Sequence, residues 1–279
     1  MSENQPNTEQ QSADLPGNYA SVNGLNLYYE THGSGQPLIL LHGGVLPMDV
    51  RDDNLADLTK HRQVIAVHMQ GHGHTPDIDR PLRTESMADD IAALITQLDL
   101  APVDLVGYSM GGAVALQTAI RHPAQIRKLV VISAAMGLDG WYPEVQNGFV
   151  EMKTNAAQLA GSLKQSPYSA QYPEVDWQQL FTKLGTLTSS PYDWSDQIAS
   201  ITAPTMLVFA DADSIRPEHI VEMYRRLGGG QRDPGLDGSL RPTTHLAIVP
   251  GTTHYNLVST PQVAQQVAQF LEAPMPAAG

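Results

Sequence analysis

Apolar residues in this chain fall into short unbroken runs separated by longer stretches of helical spacing. Pro37–Leu41, Gln63–Val67, Val103–Val106, Arg127–Ile132, Thr205–Phe209 and His245–Val249 read as strands buried on both faces, since neither parity along them is polar. Tyr19–Val22 and Leu25–Thr31 flank Asn23-Gly24, the pairing of a tight hairpin turn. Met87–Leu98 and Gly112–Ile120 carry helical periodicity, and Pro217–Leu227 and Pro261–Leu271 are predicted helices with proline near the start. Strands alternating with helices predict an α/β fold with a mostly parallel central sheet covered by helices on both faces.

The alternation stops between Gly137 and Ser200. That segment holds all three tryptophans, four of the ten tyrosines and two of the four phenylalanines. It is expected to be a helical cap inserted at 137–200 into a core domain formed by 18–136 and 201–272. Residues 1–17 are polar and without an apolar signal-peptide core, so a disordered leader is expected there, and fraying is expected at 273–279. The glycine-rich stretch 228–238 reads as a flexible loop between the penultimate helix and the last strand.

Composition narrows the function classes. The chain has no cysteine, which excludes disulfides, thiolate metal sites and a cysteine nucleophile. Sixteen basic against 29 acidic residues give a formal charge of −13, which argues against nucleic acid or an anionic membrane surface as partner. No stretch approaches the roughly 20 apolar residues of a membrane span, and a cytoplasmic location is the expectation. Apolar residues make up 42% of the chain, which fits an enzyme with a sizeable core. The oligomeric state is left open.

The chemistry concentrates where strands end. Gly107-Tyr108-Ser109-Met110-Gly111 lies between a predicted strand and a predicted helix, the pattern of a nucleophile elbow. Its glycines are expected where side chains would collide with the neighbouring strand and helix, and Ser109 is expected to take a strained backbone. A serine hydroxyl needs a base and an acid behind that base. His254 follows the last strand, and Asp213 and Asp211 follow the strand Thr205–Phe209. Loops after parallel strands gather at one sheet edge, so Ser109, an acid and His254 belong to one rim. His42-Gly43-Gly44 reaches the same rim; the N–H of Met110 and that of Gly44, with Val45 as fallback, are the expected oxyanion donors.

Elbow, HGG loop, acid after a strand and late histidine, in that order, resemble the α/β-hydrolase superfamily over residues 19–272, most nearly its capped esterase, lactonase and carbon–carbon hydrolase group. The resemblance implies a cofactor-free enzyme acting through an acyl-enzyme, and its spacing favours Asp213 over Asp211 as the acid, leaving Asp211 a loop-capping role. One stretch departs from the family pattern: His68-Met-Gln-Gly-His-Gly-His74 has His and Gln where Asp and Arg are common, which removes a charged pair beside the pocket. Its H-x3-H-x-H spacing reads as loop structure rather than a metal site, because structural zinc sites usually add thiolates. Substrate contacts are expected from Val45, Tyr108, Trp141, Tyr142, Trp177 and Trp194. With Lys153, Lys164 and Lys183 the cap's only basic residues, the expected substrate is a small, neutral, fairly apolar carboxylic ester or lactone. Carbon–carbon bond hydrolysis or perhydrolysis on the same triad is the alternative, and a non-catalytic ligand-binding protein the remote one.

Overall fold

The computed structural model describes residues 17–48 and 57–275. The expected leader, apart from Gly17, and the last four residues of the expected tail lie outside these. The elements run β1 (Asn18–Val22), β2 (Leu25–His32), β3 (Gln36–Leu41), β4 (Arg62–Val67), α1 (Thr84–Gln97), β5 (Val103–Tyr108), α2 (Met110–Arg121) and β6 (Ile126–Ile132). Then come α3 (Pro143–Thr154), α4 (Ala156–Leu163), α5 (Pro167–Gln171), α6 (Trp177–Ser189), β7 (Thr205–Ala212), α7 (Pro217–Arg226), β8 (His245–Thr253) and α8 (Pro261–Glu272).

The eight strands form one sheet in the order β1-β2-β4-β3-β5-β6-β7-β8. β1 and β2 pair antiparallel around Asn23-Gly24, both residues left-handed at φ 47° and 80°, and β2 pairs antiparallel with β4. From β4 through β8 every pairing is parallel. This is the α/β-hydrolase fold.

The unbroken apolar runs are explained by two cores, one on each sheet face. Side chains alternate along a strand, so Ile39 and Leu41, Ile65 and Val67, Leu129 and Val131, Leu207 and Phe209 enter one core with α1 and α2. Their sequence neighbours Leu38 and Leu40, Val64 and Ala66, Val130 and Ile132, Met206 and Val208 enter the other, beneath α8. Each such fully buried side chain contributes about 1.5–3 kcal/mol of transfer free energy. A one-residue slip of any strand would exchange the two sets, so the pairing register is tightly held.

Charge is buried where β4, β5 and β6 begin. Asp104 Oδ2 accepts from Arg62 Nη1 and Arg127 Nη2, both at 2.5 Å. Lys128 is buried, and its ammonium donates to the carbonyls of Phe270, Leu271 and Ala273, where α8 ends. The last carbonyls of that helix have no intrahelical donor, and Lys128 supplies one.

The four helices α3 to α6 all fall between β6 and β7, within the segment expected to be helical. α3 packs on α6, and the insertion is tied to the sheet domain by Lys183 of α6. Its ammonium donates to the carbonyls of Ile78 and Arg80, each at 2.8 Å, and pairs with Asp77 at 2.7 Å.

Candidate active site

Five loops meet at the C-terminal edge of the parallel strands, and each begins where its strand stops. β3 delivers His42-Gly43-Gly44, β5 Ser109, β6 Ser133, β7 Asp213 and β8 His254. Ser109 caps α2 at φ 52°, ψ −114°, and its N–H donates to Ile132 O on the neighbouring strand at 2.8 Å. The turn has no room for side chains at its glycines. A Cβ on Gly107 would lie 2.1 Å from Gly111 O, and one on Gly111 would lie 2.5 Å from the carbonyl oxygens of Leu41 and His42. The elbow glycines are therefore required by close backbone approach, first to the helix and then to β3.

Ser109 Oγ lies 3.1 Å from His254 Nε2, and His254 Nδ1 lies 3.3 Å from Asp213 Oδ1. Side-chain exposure is 9% for His254 and 1% for Asp213, so the pair is screened from bulk water. Burial pushes the Asp213 carboxyl up. The hydrogen bonds from His254, Ser133 and the Ala210 N–H outweigh that and hold it below the ordinary carboxylate range. Asp211 sits apart, within the last turn of β7, where its two oxygens accept the N–H groups of Gly251 and Thr252 at 3.0 Å each. It fastens the end of β8 just ahead of His254. Tyr108 holds the same histidine from the other side, its hydroxyl donating to His254 O at 2.5 Å. Burial, with the Asp213 charge nearby, pushes the Tyr108 phenol up to about 12.

The loop after β3 is organised by His42. Its Nδ1–H donates to Gly43 O at 2.6 Å and its Nε2 accepts from Met69 N–H at 3.0 Å. Val45 follows in a left-handed conformation at φ 75°, a strained state for a β-branched residue. Met110 N–H is the first donor of α2 and lacks an intrahelical acceptor. Gly44, Val45 and Met110 all line the cavity described next.

Above Ser109 and His254 lies a cavity of about 850 Å³, walled on the insertion side by Trp141, Phe149, Met152, Leu184, Tyr192 and Trp194. Of the expected substrate contacts, Val45, Tyr108, Trp141 and Trp194 line it. Trp177 and Tyr142 do not, which corrects the sequence expectation. Trp177 opens α6 and turns inward to pack in the main core at 3% exposure, while Tyr142 precedes α3 and stands outward at 38%. Helical periodicity finds a buried face but not which neighbour covers it. No residue of the loop 228–238 lines the cavity.

The histidine-rich loop is built from hydrogen bonds to backbone. His68 Nδ1 accepts from His74 N–H at 3.1 Å, and His72 Nδ1–H donates to Gln70 O at 2.9 Å. Among the described residues no group of histidines and carboxylates is arranged to hold a metal. Burial lowers the His68 ring to about 3 and the His72 ring to about 4, so both are neutral at pH 7. The loop is less depleted of charge than its sequence implies. Gln70 Oε1 accepts two N–H groups of Arg80, whose guanidinium also pairs with Asp90 at 2.6 Å, and Gln70 Nε2 donates to Asp77. Arg80 comes from ten residues downstream, which is why the local motif did not reveal it.

Sequence reasoning missed Ser133. It follows the apolar run of β6 directly, and its hydroxyl touches both Asp213 and His254. Its position directly after a predicted strand marks it as a residue of the rim but does not single it out from its neighbours.

Comparison with known proteins agrees with this architecture. A family model described as alpha/beta hydrolase fold matches residues 36–181. A non-heme haloperoxidase of Rhodococcus erythropolis is 30% identical over 221 residues, covering 70% of this chain and 81% of that protein. The 2-hydroxy-6-oxo-2,4-heptadienoate hydrolase of Pseudomonas putida is 38% identical over 132 residues, which is 41% of this chain and 47% of the relative. The carboxylesterase CesB of Bacillus subtilis superposes with a TM-score of 0.73 at 22% identity, covering 93% of this chain and 92% of that one, a likeness that speaks for the fold. The chain belongs to the α/β-hydrolase family. Its match spans most of the haloperoxidase but less than half of the heptadienoate hydrolase.

Proposed function

We propose that the protein is a serine hydrolase that cleaves a neutral, fairly apolar carboxylic ester or lactone. The observation that carries this reading is Ser109 Oγ at 3.1 Å from His254 Nε2, with Asp213 behind the ring, on the floor of an apolar cavity. Ser109 attacks the substrate carbonyl carbon as its proton passes to His254 Nε2. Asp213 stabilises the imidazolium and keeps the remaining proton on Nδ1. The N–H groups of Met110 and Gly44, with Val45 as the alternative to Gly44, receive the oxyanion. Donors of this kind are each worth about 2.7–4 kcal/mol in mutational losses. The imidazolium protonates the leaving alkoxide, and water deprotonated at Nε2 then frees the acyl group from Ser109.

The insertion at 137–200 serves as the cap that shapes the acyl and alcohol subsites. Among the described lining residues Arg83 is the single lysine or arginine, and it is exposed. A substrate carrying a carboxylate would lack a buried cation partner, which favours neutral esters or lactones over an anionic dienoate. The fold's carbon–carbon cleaving and perhydrolytic relatives remain the alternative on the same three residues. The deciding experiment is turnover of p-nitrophenyl esters from acetate to decanoate by wild type and Ser109→Ala. Expected is wild-type turnover with at least a thousandfold loss, about 4 kcal/mol, in the variant and unchanged thermal stability. Equal turnover by Ser109→Ala sinks the mechanism. Wild-type protein that neither cleaves any ester nor takes up a fluorophosphonate sinks the hydrolase reading.

A further inference from the structure

We infer that Ser133 is a positioning residue of the Ser109–His254–Asp213 site, linking His254 Nδ1 to Asp213 through its hydroxyl. The inference rests on the hydrolase reading above. Ser133 Oγ lies 2.8 Å from His254 Nδ1, and 2.8 and 2.6 Å from Asp213 Oδ1 and Oδ2. The direct contact from Nδ1 to Asp213 Oδ1 is longer, at 3.3 Å. A carboxylate only accepts, so the single Ser133 proton points at Asp213 and the oxygen turns a lone pair toward Nδ1. Nε2 accepts from Ser109, so Nδ1 carries the ring proton and has two acceptors, of which the serine oxygen is nearer.

The arrangement has a chemical consequence. As Ser109 gives its proton to Nε2, the ring becomes positive while its Nδ1 proton stays where it is. The Ser133 hydroxyl, already donating to a carboxylate, is polarised toward a more negative oxygen and faces the new charge. It also fixes ring rotation, because Nδ1 is held at two oxygens and Nε2 is thereby aimed at Ser109.

The backbone supports this assignment independently. Ser133 is fully buried and sits at φ 51°, a positive φ matched by Ser109 at φ 52°. Both serines follow directly on adjacent strands, and both donate their N–H to the next strand over, Ser109 to Ile132 O and Ser133 to Val208 O, at 2.8 Å each. A non-glycine residue held left-handed in the interior costs about 1–3 kcal/mol and persists where the surroundings over-determine it. At Ser109 that conformation lifts a hydroxyl off the strand end. At Ser133 it does the same, and the hydroxyl lands between base and acid.

The test uses Ser133→Ala and Ser133→Gly, the latter relieving the left-handed strain so that folding is secured. Both should lower kcat on a p-nitrophenyl ester about ten- to a hundredfold, with KM within about twofold, as expected for losing a hydrogen bond to a charged group. A structural role would be independent of Asp213. Ser133→Ala should instead cost less on an Asp213→Asn background than on wild type, because the two act through one ring nitrogen. In the ligand-free protein the downfield Nδ1–H proton signal of His254 should move in Ser133→Ala. That readout stands even where no ester is turned over, so it separates a failure of this inference from a failure of the hydrolase reading. An unchanged kcat in both variants, multiplicative losses with Asp213→Asn, or an unmoved Nδ1–H signal overturns the role given to Ser133.

Discussion

Mild acid should destabilise this protein, and the buried histidines beside β3 set the magnitude. His68 and His72 are neutral in the fold because burial lowers their rings to about 3 and about 4. In the unfolded chain both return to the ordinary value of about 6.5. The unfolded state therefore binds more protons as pH falls. The stability these rings contribute is complete above about pH 6.5 and is lost progressively as pH falls toward their folded values. At pH 5 each unfolded ring gains about 2 kcal/mol from protonation that the folded ring cannot match, so the pair removes about 4 kcal/mol. His42, also lowered by burial, pulls the same way. Set against a typical total of about 5–15 kcal/mol, that is a large fraction. Asp104, whose carboxyl burial pushes up, opposes the trend. Urea unfolding at pH 7.5, 6.5, 5.5 and 5.0 should show midpoints falling with pH at constant m, with His68 and His72 alone removing about 2.4 kcal/mol between pH 6 and pH 5 and His42 adding to that. In His72→Asn, whose amide can still donate to Gln70 O, the slope of stability with pH should fall by about 1.4 kcal/mol per pH unit, the share of one proton. Stability at pH 5 within about 1 kcal/mol of its value at pH 7.5 would refute the argument, since it would mean the rings are accessible to protons in the fold.

Two further substitutions probe the scaffold. Lys128→Met leaves the carbonyls of Phe270, Leu271 and Ala273 without their buried donor and should cost about 2–4 kcal/mol in urea unfolding, with kcat unchanged because the ammonium lies at the opposite edge of the sheet from Ser109. Gly111→Ala drives a Cβ to 2.5 Å from two β3 carbonyls and should cost more than about 3 kcal/mol or abolish soluble folded protein. Gly44→Ala, whose Cβ first meets a Leu184 methyl at 3.8 Å, should fold with stability within about 1 kcal/mol of wild type.

Much of this architecture is readable from residue pattern alone, and the misses share a physical origin. Every apolar run expected to be a strand is one, and from β3 to β7 the runs are buried on both faces with no polar parity to confuse them. β8, at the sheet edge, corrects the expectation of two-faced burial, since His245–Ala247 are half-buried and Ile248 is exposed. The runs mark only the buried part of each ladder. β7 continues through Asp211 to Ala212 and β8 through Thr253, because those residues pair with each other at the rim even though most of them face solvent. α1 likewise begins at Thr84, ahead of the periodic stretch, since a first helical turn can be polar. In the insertion, spacing separates inward from outward faces but cannot say whether inward means core or cavity. Trp194 and Trp177 look alike in sequence, yet only Trp194 lines the cavity.

Ser133 escaped for a deeper reason, which lies in the order of strands rather than in any motif. Chain order places the elbow, the acid and the histidine far apart, and nothing between them singles out one serine. Sheet order places β6 between β5 and β7, with β8 beyond. The residues leaving the C-terminal ends of these four strands are then Ser109, Ser133, Asp213 and His254, in spatial sequence along one edge. For His254 to reach Ser109 from β8 it must cross the end of β6, and whatever residue stands there must meet its ring. A large side chain at 133 would block the crossing, and a small apolar one would leave Nδ1 its single, longer contact with Asp213. A serine both clears the path and supplies the missing acceptor, at 2.8 Å from Nδ1. The requirement follows from parallel strand adjacency, which pairing alone establishes, so it becomes visible only once the sheet is assembled.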